Sequence, residues 1–157
     1  EDWISTLPKP HPLFLVDADW ILRSPDTVER LIDKNIPVGL LGSTQKEYET
    51  DDRLLESQLT VYEKTFSQLP LWFATRDYLI DEKMQQALHG RGINLIAPTY
   101  SFTTRNTKIA DGDFISIPLH RDAKVSFEEL QRYVTDHPFL SIEENLFGYE
   151  FQTKRMP

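Results

Sequence analysis

Short apolar runs that do not alternate with polar residues constrain this chain most. They are "LFLV" at 13–16, "IPVGLL" at 36–41, "LWFA" at 71–74, "INLIA" at 93–97 and "FISIPL" at 114–119. A strand with one wet face alternates, so continuous runs predict strands covered on both faces, the pattern of parallel sheets. Segments with helical spacing lie between them. "SPDTVERLIDKN" has Ser24 at an N-cap position, Pro25 at the first helical position, and Val28, Leu31 and Ile32 at helical intervals. "DDRLLESQLTVYEKTFSQL" sets Leu54, Leu55, Gln58, Leu59, Tyr62 and Phe66 along one side, and "DEKMQQALHGRG" closes with Gly90 and Gly92. "SFEELQRYVTDHP" opens with Ser126 and Glu129 in capping-box spacing and stops before Pro138. The alternation predicts an α/β fold, either a mostly parallel sheet flanked by helices or an irregular, open β/α barrel.

The 157 residues suit one domain, expected over 13–157, with the Pro-rich "TLPKPHP" placing an extended arm over 1–12. Glu1 rather than Met begins the chain, which implies that an upstream piece was removed and is compatible with a signal peptide or anchor there. No apolar run approaches the roughly 20 residues that span a bilayer. The net charge of −8, without a basic stripe, argues against nucleic acid as a partner. The absence of cysteine removes disulfides, thiolate zinc sites and a Cys nucleophile together.

In parallel α/β folds, sites form at the C-terminal ends of strands. Those ends carry Asp17 and Asp19, then Ser43 and Thr44, then Thr75, Arg76 and Asp77, then Thr99 and Tyr100, and finally His120, Arg121 and Asp122. Asp17 suits a general base, Asp19 its orienting or metal-binding partner, Arg76 the group that holds Asp17, and His120 a general acid. The bland alternative is that strands end in polar residues because they emerge into water, with Asp17 and Asp19 as turn formers or caps and Arg76 with Asp77 as a surface ion pair. His89 ends a helix, where a capping role suits it. No pair of histidines has metal-ligand spacing, so no tightly bound transition metal is expected. A weakly held Mg²⁺ at Asp17 and Asp19 is compatible with the chemistry.

The order of these tips resembles the polysaccharide deacetylase (NodB-homology) family. "LFLVDADW", "SPDTVERLIDKN" and "IPVGLLGS" stand where that family has its T-F-D-D-G strand, a helix and the next strand. "LWFATRDYLIDEKMQQALHGRGINLIAP" follows the course of the R-x-P-x-G segment with Arg76 at the arginine, and "DGDFISIPLHRD" ends like the L-x-H strand with His120. The resemblance spans about 13–142 and rests on order and spacing. It implies an irregular β/α barrel and action on carbohydrate of the cell envelope, with Trp20, Tyr78 and Tyr100, and also Trp72, as aromatics that could line a sugar groove. It further implies a bacterial extracytoplasmic or cell-surface location and other envelope proteins as partners.

The departures bear on activity. The family binds a divalent metal through an aspartate of its D-D pair and two histidines of an H-[ST]-x-x-H motif after the second strand. Here that tip reads "GSTQKEYETDD", without histidine, the acids are spaced as Asp17-Ala18-Asp19, and the Pro and Gly after Arg76 are missing. Without the metal, hydrolytic water lacks the group that lowers its pKa. The expectation is therefore a degenerate member, a pseudo-enzyme that keeps the groove without metal-dependent deacetylation. Two alternatives compete. One resembles the haloacid dehalogenase-like phosphatases, with Asp17 and Asp19 as nucleophile and acid and Ser43 or Thr44 binding phosphate. The other is a non-catalytic protein-interaction module of an envelope assembly.

Overall fold

The structure is a computed structural model that describes residues 11–97, the backbone of two short strands at 100–101 and 115–116, and the helical positions Glu128 and Arg132. The chain divides into two compact units, one of residues 13–97 and one that joins 1–12 to 98–157. The expected helix cap at Ser126 and Glu129, and residues 1–10 of the expected arm, lie outside the described residues.

The 13–97 unit alternates strands and helices. Its strands are β1 (Phe14–Val16), β2 (Val38–Leu41), β3 (Trp72–Ala74) and β4 (Asn94–Leu95). Its helices are α1 (Ala18–Arg23), α2 (Pro25–Asp33), α3 (Gln45–Thr50), α4 (Leu54–Phe66) and α5 (Glu82–His89). All four strands are parallel and stand in chain order β1-β2-β3-β4. Sequential order without reversal is the connectivity of a β/α barrel wall, whereas a doubly wound sheet changes direction at a switch point. The α/β class with a parallel sheet and flanking helices is thus as the apolar runs predict. Beyond that unit, β5 (Tyr100–Ser101) pairs in parallel with β6 (Ile115–Ser116) in a separate two-stranded sheet.

The register builds the core. Val16 pairs with Leu40, Leu40 with Phe73, and Phe73 with Leu95, so one row of apolar side chains crosses the sheet. Ile21 of α1, Val28 of α2, Leu59 and Tyr62 of α4, and Met84 and Leu88 of α5 close over it. The helix stripes read from sequence hold at Val28 and Leu31, which are buried, but Ile32 is exposed. Ser24 does stand at the N-cap of α2 with Pro25 behind it, yet its side chain makes no capping hydrogen bond. Trp72, a candidate sugar-stacking aromatic, is a core residue, only 5% exposed.

Two short helices escape the sequence pattern. α1 begins two residues after the end of β1, and α3 begins four residues after the end of β2. Six residues are too few for a 3.6-residue period to register. α3 does carry a local signature, since Thr44 accepts from Glu47 N–H while the Glu47 carboxylate accepts from Thr44 N–H. That reciprocal box is written in the sequence as Thr-x-x-Glu.

Tyr62 fastens α4 to the sheet, its hydroxyl donating to the Val38 carbonyl at 2.6 Å. Burial pushes this phenol up to about 12. A folded-state pKa above the unfolded value of about 10 leaves stability intact below pH ~10 and removes it as pH rises toward the folded value. Tyr62→Phe is expected to cost about 1 kcal/mol at neutral pH, through the unpaired carbonyl, and to flatten the alkaline decline. Chemical denaturation at neutral and rising alkaline pH measures both, and an unchanged decline would assign it to another group.

Candidate functional site

The site is built at the C-terminal tips of β1, β2 and β3. Asp17, directly after β1, is the N-cap of α1, where its Oδ1 accepts from Trp20 N–H at 2.7 Å. An acidic N-cap satisfies a free helix N–H and suits the positive end of the helix dipole. The second oxygen, Oδ2, accepts from Arg76 Nη2 at 3.1 Å. Arg76 follows β3, so this bond reaches across the tip of β2. With 55% of the Arg76 side chain and 25% of the Asp17 side chain exposed, the pair adds little to stability. Its effect is to fix where the guanidinium and the carboxylate stand.

Ser43, at the tip of β2, is held from three directions. Its N–H donates to Tyr48 Oη at 2.8 Å, its carbonyl accepts from Arg76 N–H at 3.2 Å, and its Oγ accepts from Gln58 Nε2 at 2.9 Å. Tyr48 Oη donates in turn to Gln58 Oε1 at 2.6 Å. Burial raises the Tyr48 phenol above its ordinary pKa, so it stays protonated and able to donate. Gly42 makes room for this reach. A Cβ there would stand 2.2 Å from Tyr48 Oη and 2.5 Å from Phe73 Cζ, so no larger residue fits without displacing the phenol.

These groups border a cleft of about 290 Å³. Asp17, Asp19, Ser43, Gln58 and Arg76 supply its polar side, and Leu22, Leu54 and Val61 an apolar wall. A second depression of about 320 Å³ lies along α1 and α2, lined mostly by aliphatic groups such as Ile21, Leu22, Val28 and Ile32. The polar cleft is the candidate site because titratable and hydrogen-bonding groups converge only there of the two.

The other candidates fall as follows. Asp19 is exposed in the first turn of α1 and borders the cleft. Trp20 is half-buried and packs against the core, and it does not border the cleft. Tyr78 is exposed and also lies off the cleft. Its φ of 56° is left-handed, held by Tyr78 N–H donating to the Thr75 carbonyl and Thr75 Oγ1 donating to the Leu79 carbonyl at 2.9 Å. A proline ring cannot adopt that φ, so the turn after Arg76 differs in backbone shape from an R-x-P-x-G turn. The side chain of Tyr100, and His120 altogether, lie outside the described residues. Tyr48 and the role of Gln58 were missed from sequence. The available signal was Gln58 itself, an amide among the apolar positions of α4, which needs a partner where it packs.

The donors at these tips are the Asp17 and Asp19 carboxylates, a hydroxyl and an amide. Both oxygens of Asp17 are engaged, Thr44 is spent in its capping box, and the β2 tip offers a hydroxyl and an amide instead of imidazoles. Among the described residues no three His, Cys, Asp or Glu side chains come together.

With a parallel wall in chain order and a cleft at its strand tips, the chain has a polysaccharide deacetylase-like fold. The solved structure of the peptidoglycan deacetylase PdaC from Bacillus subtilis matches it with a TM-score of 0.68, over 92% of this chain and 82% of that one, at 14% identity. A mutant of the same enzyme matches with the same values. At that identity the likeness establishes the fold. No protein-family profile matches the sequence, and no curated protein matches it.

Asp17 caps a helix, so Asp17→Ala is expected to lose about 1 kcal/mol of stability. Asp17→Asn keeps the capping oxygen and removes only the charge opposite Arg76, and should cost less than half as much. Urea denaturation of both variants decides it, and equal losses would mean that the cap is not what Asp17 contributes.

Proposed function

We propose that this chain is a degenerate polysaccharide deacetylase-like domain that binds cell-envelope carbohydrate in the strand-tip cleft and does not carry out metal-dependent deacetylation. The observation that carries the proposal is the composition of that cleft. Neutral donors and acceptors at Ser43 and Gln58, beside an aliphatic wall of Leu22, Leu54 and Val61, match a sugar, which presents hydroxyls on its rim and C–H groups on its faces. The likeness in fold to a peptidoglycan deacetylase supports carbohydrate as the ligand class and the cell envelope as the place of action. No helix among the described residues is long and apolar enough to cross a membrane. Other envelope proteins are proposed as further partners.

The proposed loss of deacetylation is supported by the absence of histidine at the β2 tip and by the Asp17 engagements. A carboxylate that caps a helix and faces a guanidinium is a poorer cation ligand than a free one, since both oxygens already accept hydrogen bonds and Arg76 repels a cation. A bound water in the cleft then has no Lewis acid beside it to lower its pKa.

Calorimetric titration with amino-sugar oligomers, run with and without Zn²⁺, Co²⁺ or Mg²⁺ and paired with an assay of acetate release, tests the proposal. The expected outcome is oligomer binding that no metal alters, with no acetate released. Acetate release that depends on an added metal would overturn the degenerate assignment. Absence of oligomer binding would overturn the carbohydrate assignment and favour a protein-interaction module.

A further inference from the structure

The loop between β3 and α5, residues 75–81, brings Arg76 to the edge of the cleft and is tied to the β2–α3 segment at both of its ends. At its start, Arg76 N–H donates to the Ser43 carbonyl at 3.2 Å. At its end, Gln45 and Asp81, 36 residues apart in the chain, bond reciprocally. Asp81 N–H donates to Gln45 Oε1 at 3.0 Å, and Gln45 Nε2 donates to Asp81 Oδ2 at 2.9 Å. Gln45 Nε2 also donates to Glu49 Oε1 at 3.3 Å. The amide orientation is fixed in this way, since a flip would set its NH₂ against the Asp81 N–H and its oxygen against two carboxylates. The other Asp81 oxygen, Oδ1, caps α5 by accepting from Met84 N–H at 2.7 Å.

The Arg76 side chain does not hold its own place. Its bond to Asp17 is an exposed ion pair of little energetic weight, so the position of the guanidinium has to come from the backbone that carries it. That backbone is strained at Tyr78, whose φ of 56° an L residue keeps only where its surroundings impose it. The bonds that impose it run from Tyr78 N–H to the Thr75 carbonyl, from Thr75 Oγ1 to the Leu79 carbonyl and from Leu79 N–H to Asp77 Oδ1. All three lie within the loop, so they set its shape and not its place. A strained loop released at one end relaxes, and Arg76 moves with it.

We propose that Gln45 and Asp81 are positioning residues of the strand-tip cleft, a clasp that seats the β3–α5 loop and thereby keeps Arg76 on Asp17 at the edge of the cleft. Neither residue borders the cleft, so each acts on it through the segments the clasp joins. The proposal concerns the site of the carbohydrate assignment and rests on that assignment only for its ligand readout.

Reversing the direction of the clasp tests it. Asp81→Asn keeps the capping oxygen but sets an NH₂ against the Gln45 NH₂, and Gln45→Glu sets a carboxylate against the Asp81 carboxylate. In the double variant the carboxylate at position 45 accepts from both the N–H and the side-chain NH₂ at position 81, and the clasp closes again. Amide hydrogen exchange on the whole chain reads the loop. Each single variant is expected to speed exchange at Arg76 N–H by about tenfold, the equivalent of one hydrogen bond. Gly42 N–H, which donates to the Ala74 carbonyl, should keep its rate. The double variant should return Arg76 to within about twofold of the unsubstituted rate, whereas two independent losses would add. Calorimetric binding of an N-acetylated amino-sugar oligomer is expected to weaken about threefold in each single variant and to recover in the double. Melting curves report whether each variant is folded. Unchanged Arg76 exchange in the folded single variants, or a double variant as fast as the singles, overturns the clasp. The expected exchange pattern with oligomer binding unaltered in the single variants overturns its positioning role. The expected exchange pattern without oligomer binding by the unsubstituted protein overturns the carbohydrate assignment and supports the clasp.

Discussion

The Asp17 carboxylate is the constraint on which the site depends. One oxygen starts α1 by capping Trp20 N–H, and the other holds Arg76 at the tip of β3, two strands away. α1 packs against α4. The direction in which α1 leaves the sheet therefore sets how Leu22 stands beside Leu54 and Val61 in the apolar wall of the cleft. Neither bond is strong, since caps contribute about 1 kcal/mol and exposed ion pairs less. Their consequence is positional, because losing the cap would let α1 fray at the end that borders the cleft.

The chemistry at the neighbouring tip follows from a single small residue. Gly42 leaves the space through which Tyr48 reaches Ser43, and Tyr48 then orients Gln58. The β2 tip is thereby committed to neutral hydrogen bonding. A metal site demands the reverse, namely deprotonated or lone-pair ligands with oxygens to spare, and the engaged carboxylate beside a guanidinium does not provide it. The sequence departs from the metal-dependent pattern through the missing histidines of "GSTQKEYETDD", and in the structure both Asp17 oxygens accept hydrogen bonds.

The parallel wall was legible in the sequence because burial on both faces writes continuous apolar runs, and the row Val16, Leu40, Phe73 and Leu95 comes from those runs. The helices long enough to show a period, α2, α4 and α5, were legible for the same reason. α1 and α3 were not, as six residues cannot display a stripe. The contact between Asp17 and Arg76 was expected from the order of the strand tips, while its geometry comes from the register of three strands. Trp72 shows a similar limit. Its run was recognisable as a strand, but only the assembled sheet decides that its ring is buried instead of open to a ligand. The positive φ at Tyr78 leaves no mark in composition at all, since tyrosine rarely adopts it and neighbouring hydrogen bonds impose it.

The most direct measurement is a map of amide chemical-shift changes when N-acetylated amino-sugar oligomer is added to the isotope-labelled protein in the presence of a metal chelator. The account predicts saturable shifts concentrated at residues 17–19, 42–43, 54–61 and 76, the segments that border the cleft. Shifts that appear only when a divalent metal replaces the chelator, or that fall elsewhere on the 13–97 unit, would contradict it.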